Sequence, residues 1–256
     1  MPYRSAPTRF SFLTLFAAAV SFLVFAALSS AEMLPAERIA DQLGMSEEAK
    51  ARVLKGEVVV EKLEPSSDKD LSLALVAAVD APLEKVSEFL QSGRFIEISN
   101  VTLAVGEIDT TTFSMESLEL PEEVLKQLVD DPEDSFHLSE EEASRVAEAA
   151  RKGSTETLAA YRAVLSARAR AYWEEGIPGI EPYQGKGRSP GEDLTHANDA
   201  ARKFIQNKNI LAELEAVPSK SPGRAEHSLY WAVQKGRDRI APVLNHRILY
   251  TRTTDK

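Results

Sequence analysis

The sequence predicts an α+β fold with a largely antiparallel sheet. Three observations carry this. Strand-like stretches rich in valine and leucine lie between Glu57 and Ile108 and again between Glu226 and Tyr250, a mostly helical region of about 121–217 separates them, and no internal repeat is present. Strands, then helices, then strands is the order of an α+β domain rather than of alternating βαβ units. The chain has 256 residues, 43% of them hydrophobic, so one core of ordinary size is within reach.

The first 31 residues stand apart from the fold. Arg4 and Arg9 open the chain without an acidic residue, Phe10 to Leu28 is an apolar run broken only by Ser11, Thr14 and Ser21, and Leu28-Ser29-Ser30-Ala31 places small residues at −3 and −1 of a cut after Ala31. That is the tripartite form of a secretory signal peptide. The rival is an uncleaved anchor, since about 17–25 apolar residues span a bilayer. Either way the basic start stays inside and residues 32–256 form a single exported domain, periplasmic or extracellular. The protein has no cysteine, which excludes a disulfide scaffold, thiolate ligands and an N-terminal lipid-anchored cysteine.

Net charge is −10, and loss of Arg4 and Arg9 with the export segment leaves 28 basic and 40 acidic residues. This excludes a whole-chain nucleic-acid binder. The charge is unevenly placed. Glu107 to Glu148 holds 14 acidic and 2 basic residues, whereas Ala149 to Lys256 holds 18 basic and 12 acidic. Such asymmetry marks either a surface for a basic envelope protein or two parts that complement each other within one fold, and the second is favoured.

Each element has a local cause. Ser46 caps a helix through Leu54, with Glu47 and Glu48 at its positive end and Gly56 stopping it. Glu57 to Leu63 and Leu71 to Val79 read as strands across Pro65-Ser66-Ser67-Asp68. Asp80-Ala81-Pro82 leads into a helix with Leu83, Val86, Phe89 and Leu90 on one face, ended by Gly93. Phe95 to Ile98, Val101 to Ile108 and Thr110 to Leu118 return to strand character, the last with Phe113 and Met115 on one face. Pro121 opens a helix carrying Val124, Leu125 and Leu128. Ser139 and Glu142 form a capping box for Glu140 to Lys152. Thr155 to Glu175 is a longer helix with a stripe of Leu158, Tyr161, Leu165, Ala169 and Tyr172, closed by Gly176 and Pro178. Ser189-Pro190-Gly191-Glu192 caps a helix to about Gln206, a shorter one ends near Val217, and Glu226 to Gln234 with Ile240 to Tyr250 makes a hairpin around Gly236.

Few motifs carry chemistry. Gly187-Arg188-Ser189-Pro190-Gly191 matches the G-x-S-x-G string of serine hydrolases, but no strand precedes Ser189 and capping already accounts for it. Gly179 with Gly185-Lys186-Gly187 is one residue out of step with a phosphate-binding loop. A hairpin centred between Gly236 and Arg237 sets His227 opposite His246, within reach of one metal ion, with Glu226 turned to the other face. Two polar sheet residues are the favoured reading, and no metal or cofactor is implied. Tyr172, Trp173, Tyr183, Tyr230 and Trp231 concentrate aromatic surface in the C-terminal half. They are the candidate ligand-binding residues of an apolar cavity, against the alternative that they pack core and rim. Glu174 and Glu175, adjacent on a helix, point two ways and make no catalytic dyad.

Tyr172-Trp173-Glu174-Glu175-Gly176-Ile177-Pro178-Gly179-Ile180-Glu181-Pro182-Tyr183, Ser189-Pro190, Glu226-His227-Ser228-Leu229-Tyr230-Trp231 and Leu244-Asn245-His246-Arg247 together resemble an uncharacterised family of exported bacterial proteins, over about the last hundred residues. Leu73 to Leu90, a strand passing through Asp80-Ala81-Pro82 into an amphipathic helix, is similar to the opening of START-like helix-grip domains. That resemblance implies a sheet curved around a long C-terminal helix and a lipid or other apolar ligand, and transfers no site residues. The chain departs from the plan in its helical middle and in having no long helix after Tyr250. The resulting expectation is a non-catalytic exported protein binding an apolar or amphipathic ligand at the cell envelope. The alternative is a protein–protein module using the acidic 107–148 region, with a metal-dependent or serine hydrolase the least supported.

Overall fold

The computed structural model describes residues 25–26, 45–62, 73–92, 100–180, 191, 194–196, 198–199, 202, 208–221, 223, 225–236 and 239–250. Its elements run β1 (Phe25–Ala26), α1 (Glu47–Leu54), β2 (Val59–Lys62), β3 (Leu73–Val76), β4 (Ala78–Val79), α2 (Leu83–Gln91), β5 (Thr102–Ile108), α3 (Glu122–Asp130), α4 (Pro132–Phe136), α5 (Glu140–Ala150), α6 (Ser154–Glu175), α7 (Lys208–Glu215), β6 (Ala225–Lys235) and β7 (Ile240–Tyr250). Short 3₁₀ turns follow α6 at Ile177–Gly179 and α7 at Pro218–Lys220. The fold is α+β. β5–β6–β7 form an antiparallel sheet with β6 central, β2–β3 an antiparallel pair, and β1 a two-residue parallel bridge to β4. Among the described residues no helix is long and apolar enough to cross a membrane.

The N-terminal unit is a hairpin with one helix on it. Ser46 Oγ accepts from Ala49 N at 3.2 Å and opens α1 as the sequence predicts. Ala49 and Val53 of α1 then pack with Met45, Val59 and Val76 as a small core. Strand alternation puts Val59 inside and its neighbours Val58 and Val60 outside, each of these 56% exposed. On α2 the expected apolar face is only partly used. Leu90 is buried, but Phe89 is 42% exposed.

The main core lies between the three-stranded sheet and helices α3 to α6. β6 turns Leu229, Trp231 and Val233 to the helices, where they meet Ile108, Val124, Leu128, Tyr161, Val164, Leu165 and Ala169. Gly106 pairs with Trp231, and the indole lies over it so closely that a Cβ there would stand 2.4 Å from the ring.

One expected strand is not a strand. After β5 the chain turns, because the Asp109 carboxylate accepts from Thr111 N at 2.7 Å and Thr112 N at 3.2 Å, and its carbonyl accepts from Phe113 N at 2.7 Å. Those local bonds take the place of a sheet ladder. Phe113 and Met115 are nonetheless both buried, now as loop anchors. The Ser139–Glu142 capping box is present in both directions, at 3.2 and 2.8 Å. α6 spans 22 residues and ends at Gly176, whose φ of +74° suits glycine. Gly179 follows with its Cα so near the Ala171 carbonyl that a Cβ would stand 2.4 Å away. These two glycines let the chain leave the helix and fold back on it.

The acidic centre and the basic end meet on α6. Arg162 donates to the Leu118 carbonyl and to Glu119 at 2.7 Å. Arg168 Nε donates to Glu142 Oε1 at 2.8 Å and its Nη2 to the His137 carbonyl at 2.8 Å. Arg170 lies 4.7 Å over the Phe113 ring. Phe95 to Ile98, Gly93, Tyr183 and the Gly187–Gly191 string up to Pro190 lie outside the described residues, and those described between 191 and 202 are helical.

Candidate functional site

The most concentrated polar chemistry is a buried chain of side chains where α6 and α7 meet the β6–β7 hairpin. The hairpin pairs His227 with Ile248 and Leu229 with His246, so its loop is centred between Arg237 and Asp238. Direct opposition of the two histidines is therefore corrected to a diagonal one. The expected register is out by two residues, and an even shift keeps a strand's side chains on their face. The rings still meet, with centroids 5.1 Å apart and planes at 27°.

The chain runs across three elements. Tyr172 Oη of α6 lies 2.8 Å from His246 Nδ1, His246 Nε2 lies 3.0 Å from His227 Nδ1, and His227 Nε2 lies 3.4 Å from Glu213 Oε2 of α7. Ser221 Oγ donates to the same Glu213 oxygen at 2.6 Å. The His227 side chain is 3% exposed and Glu213 not at all. Burial, reinforced by His227, holds His246 down to about 3, and burial pushes Tyr172 up to about 12. Both groups are therefore neutral at pH 7.

A consistent assignment of these hydrogen bonds takes His227 Nε2 as the donor to Glu213 Oε2 and His227 Nδ1 as an acceptor. His246 must then donate from Nε2, which leaves its Nδ1 to accept from the Tyr172 hydroxyl. In this assignment the three bonds run from Tyr172 toward Glu213.

This geometry also bears on metal binding. The two facing nitrogens are joined through one proton, while Tyr172 and Glu213 occupy the two outer nitrogens. Among the described residues no group of three or more His, Asp or Glu is arranged to hold a metal ion. Glu226 points to the other face, where Gln91 donates to it.

The candidate aromatics do not converge on one point. Tyr172 and Trp173 pack against the main core, and Trp231 is buried within it. Tyr230, the residue before Trp231, faces the opposite side of the sheet, where burial raises its hydroxyl and Arg247 partly offsets this. Tyr183 lies outside the described residues. Arg247, opposite Ser228 on that side, donates to the Leu90 carbonyl and so ties α2 to the hairpin.

Glu213 and Ser221 are site members that sequence reasoning missed. The signal was present in Ile210-Leu211-Ala212-Glu213-Leu214, an acid embedded in a short apolar helix.

The surface of the N-terminal unit is of another kind. Its β2–β3 pair carries valine and leucine on both faces, with the charged Glu61 and Lys62 at the end of β2. One face carries α1, and the other leaves Val58 and Val60 exposed beside Leu75, the partner of Val60. No family model matches this chain, and no curated protein and no solved structure matches it.

Proposed function

We propose that the protein is an exported, non-catalytic binding module that holds an apolar or amphipathic ligand, such as a lipid, on its N-terminal unit at the cell envelope. The observation that carries this reading is the exposure of Val58 and Val60 on the outer side of β2, each 56% exposed among the described residues. All the large exposed hydrophobic side chains among the described residues fall between Leu54 and Leu103, and none belongs to the helical 121–175 region. Three of them, Leu54, Val58 and Val60, stand on the N-terminal unit, and exposed apolar side chains grouped in this way favour a ligand or a membrane-derived partner. The strand-to-helix passage at Leu73 to Leu90, similar to the opening of START-like domains, supports the same class of ligand.

The polar chain supports a non-catalytic reading in one respect. It is closed at each nitrogen by its own partners and stands in the interior, with the Tyr172 hydroxyl held neutral rather than activated. The pairs Arg162–Glu119 and Arg168–Glu142 favour internal complementation of charge over docking of a basic protein on the acidic region.

Export rests on residues 1–31. The secreted chain is expected to begin at Glu32, and N-terminal sequencing of protein taken from the envelope fraction tests it. Such cleavage removes β1 and leaves Ala78–Val79 without its bridge partner. Native mass spectrometry of protein isolated from its source tests the ligand. A co-purifying lipid or fatty acid, lost on Val58→Thr with Val60→Thr, is expected. These replacements keep the β-branched shape while adding a hydroxyl. A ligand-free protein that also fails to take up phospholipid or fatty acid after delipidation overturns the proposal.

A further inference from the structure

The outer face of the β6–β7 hairpin holds polar atoms that the fold leaves unused. Ser228 of β6 stands directly opposite Arg247 of β7, so the two side chains share that face. Ser228 Oγ and Arg247 Nε are both buried, and neither has a hydrogen-bond partner among the described residues. Folded proteins leave few buried polar atoms in this state, and two on facing residues call for a common cause.

Two other arginines show how this chain uses a guanidinium. Arg162 turns its Nε–Nη2 edge to the Leu118 carbonyl, and Arg168 turns the same edge to the Glu142 carboxylate. Arg247 is held differently. Its Nη1 donates to the Leu90 carbonyl near the end of α2, which fixes the guanidinium, while its Nε–Nη2 edge meets no acceptor among the described residues. The carboxyl groups on this face do not supply one. Glu226 accepts from Gln91 of α2, and Glu107, opposite Tyr230 on β5, makes no ion pair with Arg247. Tyr230 lies two residues along β6 from Ser228 on the same face, and its hydroxyl has no partner among the described residues either.

We propose that Arg247, Ser228 and Tyr230 form a binding site for a carboxylate-bearing small molecule, on the outer face of the hairpin beside the end of α2. The Nε–Nη2 edge of an arginine presents two parallel donors spaced for the two oxygens of one carboxylate. The Ser228 and Tyr230 hydroxyls add single donors to the same group. The guanidinium stays charged whatever its surroundings, so the site needs no proton uptake to attract an anion. Ser228, Tyr230 and Arg247 are each partly exposed as residues, so a small ligand reaches this face although two of its polar atoms lie just beneath the surface. The site uses none of the exposed valines of β2 and stands apart from the lipid reading.

The test is ¹H–¹⁵N spectroscopy of the arginine Nε–H groups in the full chain, titrated with octanoate and, as the same tail without the carboxylate, octanol. The Arg247 signal, identified by its loss in Arg247→Lys, is expected to shift and saturate with octanoate and to stay in place with octanol. Affinities are read by calorimetry in a Val58→Thr, Val60→Thr background, so that the outcome is independent of any ligand on β2. There Arg247→Lys, which keeps the charge and loses the paired donors, is expected to weaken octanoate binding by about 10- to 100-fold. Ser228→Ala is expected to weaken it several-fold with no fall in the urea midpoint, because the hydroxyl it removes has no partner in the fold. A hydroxyl with a purely structural role would give the reverse, lost stability and unchanged binding. The proposal is overturned if octanoate leaves the Arg247 signal unmoved, as for a site that holds only water, if octanol moves it equally, or if Arg247→Lys binds octanoate as well as its parent.

Discussion

Replacement of Gly106 by alanine should be among the most damaging single-methyl additions in the molecule. Gly106 of β5 pairs with Trp231 of β6, and a Cβ at that position would lie 2.4, 2.5 and 2.7 Å from three atoms of the indole. Ordinary carbon contacts begin near ~3.5 Å, so about 1 Å has to be found. Trp231 is 3% exposed and packed among Leu229, Val233 and Ile108, so the ring has little room to withdraw. Overpacking of this kind costs typically ~1–3 kcal/mol, against a gain of ~0.4–1 kcal/mol from the stiffer unfolded chain. The net loss of about 1 kcal/mol corresponds to a fall in Tm of roughly 2–4 °C for a domain of this size. Urea unfolding followed by tryptophan fluorescence measures it. The argument makes a second claim, because the cost depends on the indole. In a Trp231→Phe background the alanine should cost less than half as much, and the phenylalanine itself removes an indole N–H that is buried without a partner. A Gly106→Ala protein as stable as wild type, or a penalty unchanged by Trp231→Phe, refutes the reasoning.

Two further expectations concern charge. Arg168 and Glu142 form a largely buried pair with side chains 17% and 6% exposed, and Arg168→Met should cost ~3–5 kcal/mol by stranding the carboxylate, as read by chemical denaturation. Burial pushes the Glu142 carboxyl up, but bonds from Arg168 and Ser139 outweigh it and bring the net shift below the ordinary value. Glu142 thus stabilises the fold above its ordinary titration range, and this contribution should fade on acidification and be absent in Glu142→Gln. His246 acts in the same direction for a different reason. Its ordinary value is 6.5, while burial and then His227 hold it to about 3 in the fold, so between these limits the unfolded chain binds a proton that folded His246 refuses. Stability present above pH 6.5 should therefore fall by ~1.4 kcal/mol per unit as pH drops toward 3, and His246→Gln should remove that slope from a series of urea midpoints.

The helical region was the most legible part of the sequence, because its ends are set by residues acting on adjacent backbone. The Ser139–Glu142 box and Gly176 each delimit a helix there as read, and Ser46 does the same for α1 in the N-terminal unit. The stretch from Thr110 to Leu118 misled, since Phe113 and Met115 have strand spacing while Asp109 bonds the following amides into a turn. The five-residue α4 was not read at all, because Pro132 and Asp131 fit a loop as well as a helix start. Of the candidate site, the shared face of His227 and His246 was legible and their register was not. A four-residue connection, Gly236 to Arg239, moves every pair by two positions without disturbing the alternation. Glu213 and Tyr172 reach the histidines from helices distant in sequence, and no local pattern encodes that meeting.

The central functional claim concerns one face of one hairpin, and methyl-resolved NMR of delipidated protein titrated with a spin-labelled fatty acid tests it directly. Val58 and Val60 methyl signals are expected to broaden first and together, with Val59, 2% exposed on the opposite face, left sharp. Uniform broadening of the three valines, or none at fatty-acid concentrations that saturate known lipid carriers, contradicts the account.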